Sequence, residues 1–570
     1  MKYRISSGVL ILLIVTGFSR KCYCQQASNA DKYHESLMKD SIPEDADLVL
    51  ACKVWGFLKY YHPAVCIGRY KWDNELFSII ALTAKRKHLN GKDNDLAAYI
   101  KGLGHFRKGK EQEEITSGVR MHPDIDWIYN QEALGQELSS LLAGILHAKR
   151  SGKKSYYVSK EKGVGSPVFR HEDDYSEMKY PGVSYRILSL FRYWNMIQYF
   201  YPYKYLIQDN WDKVLAELIP IFLHASDTHA YEMAVLKMVS RIHDAHGVVE
   251  IAALDQQYQQ RYFAPAVIEF VDTLPVVTGF LKDGTLQAGD VILEVNGHPV
   301  PELITAKRDK VSASNEAVLL RETARSLLSS DNDRLMAIKI ARNQAVQMVK
   351  VKLLDYKTYV RLKRQYQEHQ RPATWKILAG NIGYVNPESL LVKDIPRMIK
   401  DLAGTNGIIF DFRCYPSAYV VYKLGNWLHG GKTPFARFAA GSIRSPGLFM
   451  DGNTVYVGRK AKEGTYKGKS VVIVNQETQS QAEYTVMALQ AGQRSIVAGS
   501  TTAGADGNTS DIVLPGGIYT AFSGIGVYYA DGQETQRTGI KIDVRCNRTI
   551  AGIQRGEDEL LHKAIETIRK

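Results

Sequence analysis

The chain has 570 residues, of which 45% are hydrophobic and 23% are charged, with only 18 prolines. This composition excludes a disordered chain, a collagen-like repeat and a small disulfide-held scaffold. The length predicts three or four domains, each large enough to bury its own core. The formal net charge is +13, but basic and acidic residues are interspersed and no long basic stripe contains aromatic residues, so we expect no nucleic-acid partner.

The first 24 residues predict an export signal. Lys2 and Arg4 precede an apolar run at residues 9–15, which is shorter than the roughly 20 residues that span a bilayer. Cleavage after Cys24 would leave a periplasmic or extracellular protein without an integral membrane span. An uncleaved anchor is the alternative because a basic pair follows the apolar run, and a lipid anchor is a minor one.

Four cysteines would remain after cleavage, and they are Cys52, Cys66, Cys414 and Cys546. They are spread too widely for a zinc site with CxxC spacing, so we expect no metal. An oxidising compartment permits one or two disulfides, but the spacing does not imply a pairing.

One segment of the chain occurs twice. The residues that recur 139 positions later are Trp55, Pro63, Trp72 and Asp73, repeated as Trp194, Pro202, Trp211 and Asp212. In both copies an aromatic-rich segment stops at a proline, which is typical of a helix that ends before it. The pattern predicts two helical units, residues 25–147 and 183–261, joined by a connector at 148–182 without sustained periodicity.

The pattern changes to short apolar strands after residue 261. Residues 262–358 contain a Gly289-Asp290 turn and an Asn296-Gly297 pair between strands, which predicts a small β-rich domain. From residue 370 to 570, strands alternate with helical stretches, as in an α/β domain. The fold class is therefore a multidomain α/β (α+β) protein.

The run from Leu286 to Gly297 resembles the PDZ-domain signature, in which a Gly-Asp turn leads into a strand and an Asn-Gly hairpin. PDZ domains bind extended or C-terminal peptides by adding a strand to a sheet edge. The resemblance therefore implies peptide capture by residues 262–358, and the residues that contact the peptide remain unknown.

Three later segments resemble the carboxyl-terminal processing, or tail-specific, proteases and the related tricorn core. The first is a strand that ends in Asp411-Phe-Arg413, and the second is a strand that ends in Asn475 and leads to Ser480. The third is a set of closing strands between residues 499 and 544. The resemblance covers about residues 183–570 and implies a crotonase-like α/β core with serine peptidase activity on peptides or proteins. It implies no cofactor and leaves the oligomeric state open.

The resemblance makes Ser480 the nucleophile, at the start of a helix whose free N–H groups and dipole suit a negative charge. Glu483 completes Ser-x-x-Glu and joins the candidate catalytic residues, although this motif is also a helix-capping box. Residues 502–507 contain no lysine, so the Ser/Lys dyad of the bacterial tail-specific proteases is not available. The tricorn-like branch instead uses a histidine from the preceding helical domain, which His246 matches, with His243 as the alternative.

The resemblance also implies an acid that orients the histidine and donors that stabilise an oxyanion. The branch takes a glutamate from the loop before a late strand, where Glu534 lies two residues early and Gln536 is the direct match, so the choice stays open. The oxyanion donors would be the N–H groups of Gln481 and of Ser417 and Ala418, where the family has Gly-Gly.

Two functions follow from these residues. The first is a secreted or periplasmic serine endopeptidase that cleaves peptides or protein C-terminal regions through an acyl-enzyme, with PDZ-like peptide capture. The alternative is an inactive relative that binds peptides or apolar ligands, favoured by the missing lysine and the missing Gly-Gly. The matching Ser480 and His246 favour the enzyme.

Overall fold

The structure is a computed structural model. It describes residues 44–88, 95–109, 117–150, 155–251, 261–282, 284–459 and 464–570. The predicted export signal, residues 1–24, lies outside these ranges. Within them, no helix combines the length and the apolar character needed to cross a bilayer.

The first helical unit begins with α1 (Asp45–Tyr61), which ends two residues before Pro63 as the sequence predicts. The other elements of this unit are α2 (Trp72–His88), α3 (Asp95–Gly102), β1 (Val119–Met121), a 3₁₀ turn (Asp126–Tyr129), α4 (Gln131–Leu134) and α5 (Gln136–Leu146).

The predicted connector contains an antiparallel hairpin of β2 (Val158–Lys160) and β3 (Pro167–Phe169). The hairpin is fastened to the carboxy-terminal domain, because the Ser510 hydroxyl donates to the Pro167 carbonyl at 2.6 Å. The segment at 148–182 thus connects the two helical units and also contacts the carboxy-terminal domain. Its few short strands have no periodicity that could be detected in the sequence.

The second helical unit follows the hairpin. Its elements are α6 (Val183–Phe200), a 3₁₀ turn (Lys204–Leu206), α7 (Trp211–His224), α8 (Thr228–Ser240) and β4 (Val249–Ile251). Every residue of α6 from Ser184 onward is buried, so α6 lies at the centre of the largest core.

The sequence repeat corresponds to the same packing in both units. In the first unit the Trp55 indole donates to the Trp72 carbonyl at 2.9 Å, and the Trp72 indole donates back to the Trp55 carbonyl at 3.1 Å. Trp194 and Trp211 form the same reciprocal pair at 2.9 and 3.2 Å. Each pair ties two helices together while satisfying two buried indole N–H groups.

A buried ion network joins the two units. The Lys59 ammonium pairs with Glu172 at 2.7 Å, and Arg192 pairs with Glu172 at 3.1 Å and with Asp73 at 2.7 Å. Two cations thus meet two carboxylates, so burial leaves no unpaired charge. Arg192 also donates to the Val513 carbonyl at 2.7 Å, which extends the network into the carboxy-terminal domain.

The main sheet of the β-rich domain has the order β12-β11-β8-β7-β6, so that β6 is an outer strand, and a second sheet has the order β10-β5-β13. The strands of this domain are β5 (Tyr262–Phe263), β6 (Ala266–Val271), β7 (Leu274–Phe280), β8 (Val291–Val295), β9 (His298–Pro299), β10 (Ser329–Ser330), β11 (Leu335–Arg342), β12 (Ala345–Lys352) and β13 (Leu354–Asp355). Its helices are α9 (Val300–Arg308), α10 (Glu316–Ser326) and α11 (Tyr356–Gln370). Asn296 and Gly297 have φ angles of 49° and 82°, as a two-residue hairpin requires.

The carboxy-terminal domain contains the predicted α/β sheet, with the order β14-β15-β16-β19-β20-β24 and parallel pairing from β15 onward. Its strands are β14 (Trp375–Leu378), β15 (Ile382–Val385), β16 (Gly407–Asp411), β17 (Thr433–Gly441), β18 (Phe449–Val457), β19 (Lys469–Val474), β20 (Ser495–Gly499), β21 (Thr509–Leu514), β22 (Ile518–Ser523), β23 (Gly526–Tyr529) and β24 (Val544–Arg545). Its helices are α12 (Ile395–Leu402), α13 (Val421–Leu428), α14 (Gln481–Gln490), α15 (Ile550–Gln554) and α16 (Glu559–Arg569), with 3₁₀ turns at Pro387–Ser389, Val392–Asp394 and Ala491–Gln493.

Two further sheets combine strands from different domains. In the sheet with the order β1-β18-β17-β23, β1 of the first helical unit pairs with strands of the carboxy-terminal domain. In the sheet with the order β21-β22-β4, β4 of the second helical unit does so. Because β4 begins three residues after His246, its pairing with β22 carries that histidine to the carboxy-terminal domain.

His62 lies in the core of the first helical unit, just after α1, and is 1% exposed. Its Nδ1 accepts from the Ala64 N–H at 3.3 Å, and no group of the described residues bonds its buried Nε2. Burial lowers the pKa of His62 from 6.5 to about 4, because protonation would place an uncompensated charge in the core.

This lowered pKa predicts that acid destabilises the protein. The unfolded chain binds a proton at His62 below pH 6.5, whereas the folded chain does not bind one until about pH 4. The free energy of unfolding should therefore fall across this window by about 3 kcal/mol through this group. Denaturant unfolding at pH 7.5 and pH 4 checks this. Between these pH values the free energy of unfolding of His62→Phe should fall by about 3 kcal/mol less than that of the wild type. The control His224→Gln, which changes an exposed histidine, should show the same fall as the wild type. An equal pH dependence for His62→Phe would contradict the assignment.

Candidate active site

The candidate nucleophile follows β19, next to the parallel strand β16. Since the carboxyl ends of parallel strands meet at one edge of a sheet, the loops after Asp411 and Val474 lie side by side. Ser480 ends the second loop and precedes α14 with φ 58° and ψ −122°. A side chain rarely adopts this backbone conformation, and strain of this kind at a strand-to-helix turn is typical of an exposed nucleophile.

Glu483 holds the strained turn in place. Its carboxylate is fully buried and accepts from the Thr502 hydroxyl at 2.6 Å and from the N–H groups of Gly504, Ala505 and Ser480 at 2.8, 3.1 and 3.2 Å. Burial raises the pKa of Glu483, and the four donors oppose the rise. The carboxylate lies beneath Ser480 and is not among the residues that line the cavity described below. Its contacts therefore hold the turn together and do not reach a substrate.

The candidate base lies in the loop between α8 and β4. His246 Nδ1 is 2.8 Å from the Ser523 hydroxyl oxygen. That hydroxyl donates to Asp244 at 3.0 Å, and the Ser523 N–H donates to the other oxygen of Asp244 at 2.7 Å. Burial lowers the pKa of His246, Asp244 opposes the shift, and the positive charge of Arg321 adds to it.

A direct hydrogen bond connects the two loops. The side-chain amide of Gln479 donates to the Ala245 carbonyl at 3.3 Å. Gln479 directly precedes the candidate nucleophile, and Ala245 directly precedes the candidate base. Ser480 and His246 line the same cavity, whose volume is about 1870 Å³. The site thus combines residues from the second helical unit and the carboxy-terminal domain.

The β-rich domain also contributes to the site. Arg321 of α10 donates to the Gln476 carbonyl at 2.7 Å and to the Gln479 side chain at 2.9 Å. Just before α10, the hydroxyls of Ser312 and Ser314 accept from the backbone of the loop that carries His246, at 3.0 and 2.7 Å. This domain therefore braces both the nucleophile loop and the base loop.

The predicted oxyanion donors differ in availability. The Ser417 N–H donates to the Pro387 carbonyl at 3.1 Å, so it is occupied, and the prediction for Ser417 does not fit the structure. No group of the described residues accepts from the N–H of Ala418 or of Gln481. The Gln481 side-chain amide donates to the Ala418 carbonyl at 2.6 Å, so these two residues lie beside each other.

The alternative acids and base lie elsewhere. Glu534 accepts from the Tyr205 hydroxyl and does not line the cavity, so it is not brought to His246. Gln536 is buried beside Tyr201, also outside the cavity lining. His243 precedes Asp244 with φ 50°, and its side chain is not part of the lining.

Sequence reasoning missed Asp244 and Ser523 as partners of the histidine. Asp244 could have been found, because a carboxylate two residues before a candidate base is a local signal. Ser523 could not, because it lies 277 positions from His246 and a single serine has no distinguishing pattern. His105, the nearest histidine in the first unit, is exposed and lies outside the cavity lining.

Comparisons with known proteins agree with this architecture. Residues 381–546 match the model of Peptidase family S41, and residues 267–353 match the model of the N-terminal domain of the Bacteroidetes S41 family peptidases. The structure of mature CPAF complexed with lactacystin has a TM-score of 0.55 and 11% identity over 68% of this chain and 98% of that chain. A second structure of mature CPAF gives 0.54 and 12% over 67% and 96%. At these identities the likeness is one of fold. A search of the curated proteins finds no match.

The fold and the two family models define a serine peptidase with an α/β core. Residues 381–546 form a Peptidase family S41 domain, and the resemblance to the tail-specific proteases is confirmed. The family models carry no statement on a PDZ function, on export or on the individual site residues.

The contacts of Glu483 predict a large effect of a small change. Glu483→Gln replaces an acceptor oxygen by an N–H₂ group that faces buried N–H and hydroxyl donors. We expect a loss of about 2–4 kcal/mol in the free energy of unfolding, since buried donors are left unpaired. Denaturant unfolding checks this, with Glu477→Gln as a matched change on the partly exposed side of the same loop. A stability equal to that of the wild type would show that Glu483 does not hold the turn.

Proposed function

We propose that this S41 peptidase is a secreted or periplasmic serine endopeptidase in which Ser480 is the nucleophile, His246 is the base and Asp244 orients the base through Ser523. The observation that carries the proposal is the hydrogen-bond chain behind the imidazole. Ser523 Oγ lies within hydrogen-bond distance of both His246 and Asp244. This chain, together with the strained turn at Ser480, accounts for each role in acyl transfer.

The hydrogen-bond chain selects the tautomer of the base. A hydroxyl has a single proton, and when Ser523 donates it to Asp244 its oxygen accepts from His246 Nδ1–H. The other ring nitrogen, Nε2, is then unprotonated and can accept the proton of the Ser480 hydroxyl. Asp244 stabilises the imidazolium that forms, in the way that the carboxylate of a catalytic triad does.

The proposed reaction has two halves. Ser480 Oγ attacks the scissile carbonyl while His246 takes its proton and then passes that proton to the leaving amine. The N–H groups of Gln481 and Ala418 hold the oxyanion, with the start of α14 adding its dipole. A water molecule repeats the sequence on the acyl-enzyme and releases the new carboxyl end.

Peptide capture by the β-rich domain is the second part of the proposal. The outer strand β6 lines the same cavity as Ser480, beside α10. An extended peptide added to its unpaired edge would run toward the nucleophile. Export rests on the basic and apolar start of the sequence, and cleavage near protein C-termini rests on the resemblance to the tail-specific proteases.

The proposed roles predict a specific set of losses. Ser480→Ala should abolish turnover and labelling by a fluorophosphonate probe, and His246→Ala should lower both at least a thousandfold. Asp244→Asn and Ser523→Ala should each lower kcat/KM, because the imidazole loses its orientation. Since the pKa of His246 is lowered, kcat/KM should persist below pH 6.5 and fall only as acid protonates the base.

Glu534→Gln is the matched control for the orienting acid and should keep its activity. Peptide mapping of the labelled protein locates the reacting residue. Full turnover by Asp244→Asn, together with a large loss of kcat/KM in Glu534→Gln, would show that Glu534 and not Asp244 orients the base. A folded wild type that neither reacts with the probe nor cleaves any peptide would favour the inactive binding protein.

Peptide capture is best tested on the peptide, because deleting the β-rich domain would also remove the groups that brace both catalytic loops. A peptide that binds Ser480→Ala should lose about 1 kcal/mol of binding free energy when a residue that pairs with β6 is N-methylated. N-methylation of the neighbouring residue, whose N–H points away, is the control. Calorimetry that shows no alternation along the peptide would contradict strand addition.

A further inference from the structure

Helix α11 presents a stripe of side chains to the cavity that the proposed mechanism does not use. Tyr359, Lys363 and Gln367 are spaced four residues apart, so they lie on one face of the helix. All three line the cavity that contains Ser480. Since α11 has no buried residue, this stripe borders the cavity and is not part of a core.

Two contacts place α11 beside the outer strand β6. The Tyr359 ring stacks on Phe263 with 4.5 Å between the ring centroids, and Phe263 lies three residues before β6. Two turns later along the helix, the Tyr366 hydroxyl lies so close to Gly279 that a Cβ at this position would overlap it. Gly279 belongs to β7, the strand that pairs with β6. Lys363 lies between these two contacts on the helix.

Helices α10 and α11 lie on opposite faces of the sheet at its β6 edge. Side chains alternate along a strand, so Ile268 faces one side of β6 and Val267 faces the other. Ile268 packs against the core of the β-rich domain, which includes Leu327, the residue directly after α10. Val267 pairs with Gly279, the residue that Tyr366 contacts, so α11 packs on the second face.

An extended peptide that pairs with β6 would continue this alternation of side chains. Side chains on the α10 face would meet Ala317, Leu320 and Ala324, which are apolar and line the cavity. Side chains on the α11 face would meet Lys363, whose ammonium lies 5.4 Å from the centroid of the Tyr359 ring. The two faces of a bound peptide therefore meet different chemistry.

The charge of Lys363 is not compensated by an acidic side chain. Among the described residues, no carboxylate lies within 4 Å of its ammonium, and neighbouring carboxylates already have partners. Glu269 of β6 pairs with Arg548 at 2.8 Å, and Glu368 of α11 pairs with Arg364 at 3.0 Å. A half-buried ammonium on the wall of a peptide-binding cavity can thus pair with a carboxylate that a ligand brings.

We propose that Lys363 binds an aspartate or glutamate side chain of the substrate, at the positions of the extended peptide that point to α11. The neighbouring positions, which point to α10, take apolar side chains. The inference rests on the proposed function and specifies its substrate class, which is a peptide segment with alternating acidic and apolar side chains.

The experiment moves one glutamate along an otherwise neutral peptide that binds Ser480→Ala, and compares each peptide with its glutamine counterpart. By calorimetry we expect glutamate to lower Kd about fivefold at every second position, since an ion pair at a partly exposed site is modest and screened by salt. At the positions between, glutamate should not lower Kd. The preference should be lost in Ser480→Ala/Lys363→Gln.

Charge reversal and a matched control separate an ion pair from a packing effect. In Ser480→Ala/Lys363→Glu, lysine should be preferred over glutamine at the same alternate positions, which a loss of packing would not produce. Lys357→Gln changes an exposed lysine of the same helix that does not line the cavity, so it should keep the glutamate preference.

The binding measurements use Ser480→Ala, so their outcome is independent of turnover. A glutamate preference at every position or at none, or one that survives Lys363→Gln, overturns the subsite. If the wild type still reacts with the fluorophosphonate probe and cleaves peptides, the peptidase remains. Lys363-dependent alternation in a protein that neither reacts with the probe nor cleaves any peptide would overturn the peptidase and leave a binding protein with this subsite.

Discussion

The Asp244 carboxylate accepts hydrogen bonds from the Ser523 N–H, the Ser523 hydroxyl and the His246 N–H, at 2.7, 3.0 and 3.0 Å. It is fully buried, so these donors replace the water that would otherwise solvate its charge. The two bonds from Ser523 join the second helical unit to the end of β22, where β4 adds a strand. The carboxylate that we propose to orient the imidazole is therefore also a contact between the second helical unit and the carboxy-terminal domain.

Two other buried acids differ in how many hydrogen bonds their carboxylates accept. Glu483 has four donors and holds the strained backbone of Ser480 in place. Among the described residues, Asp506 has one donor and one oxygen without a partner, although it lies in the same region. A satisfied buried carboxylate stabilises the loop around it, whereas an unsatisfied one raises the free energy of the folded protein.

The β-rich domain lines the same cavity as Ser480 and His246. Arg321 bonds the nucleophile loop, and Ser312 and Ser314 bond the base loop. Because residues of the β-rich domain and of the connector hairpin both line it, the cavity has walls from several parts of the chain. A long polypeptide can therefore contact surfaces far from the scissile bond, which is where binding energy for positioning is available.

The sequence by itself determined the features that depend on neighbouring residues. The helix that ends before Pro63, the Asn296-Gly297 hairpin, the buried parallel strands and the strand-to-helix turn at Ser480 follow from local backbone preferences and periodicity. The repeated tryptophans predicted the repeated packing for the same reason.

Only the tertiary structure decided which groups meet. Ser523 reaches His246 across 277 positions, the Ser417 N–H is already bonded to Pro387, and Glu534 binds Tyr205 away from the imidazole. None of these contacts has a signature in a single sequence, because a hydrogen bond between distant residues depends on how the domains dock. That docking depends on the buried charges and strand pairings between the domains, which exist only when the whole chain has folded.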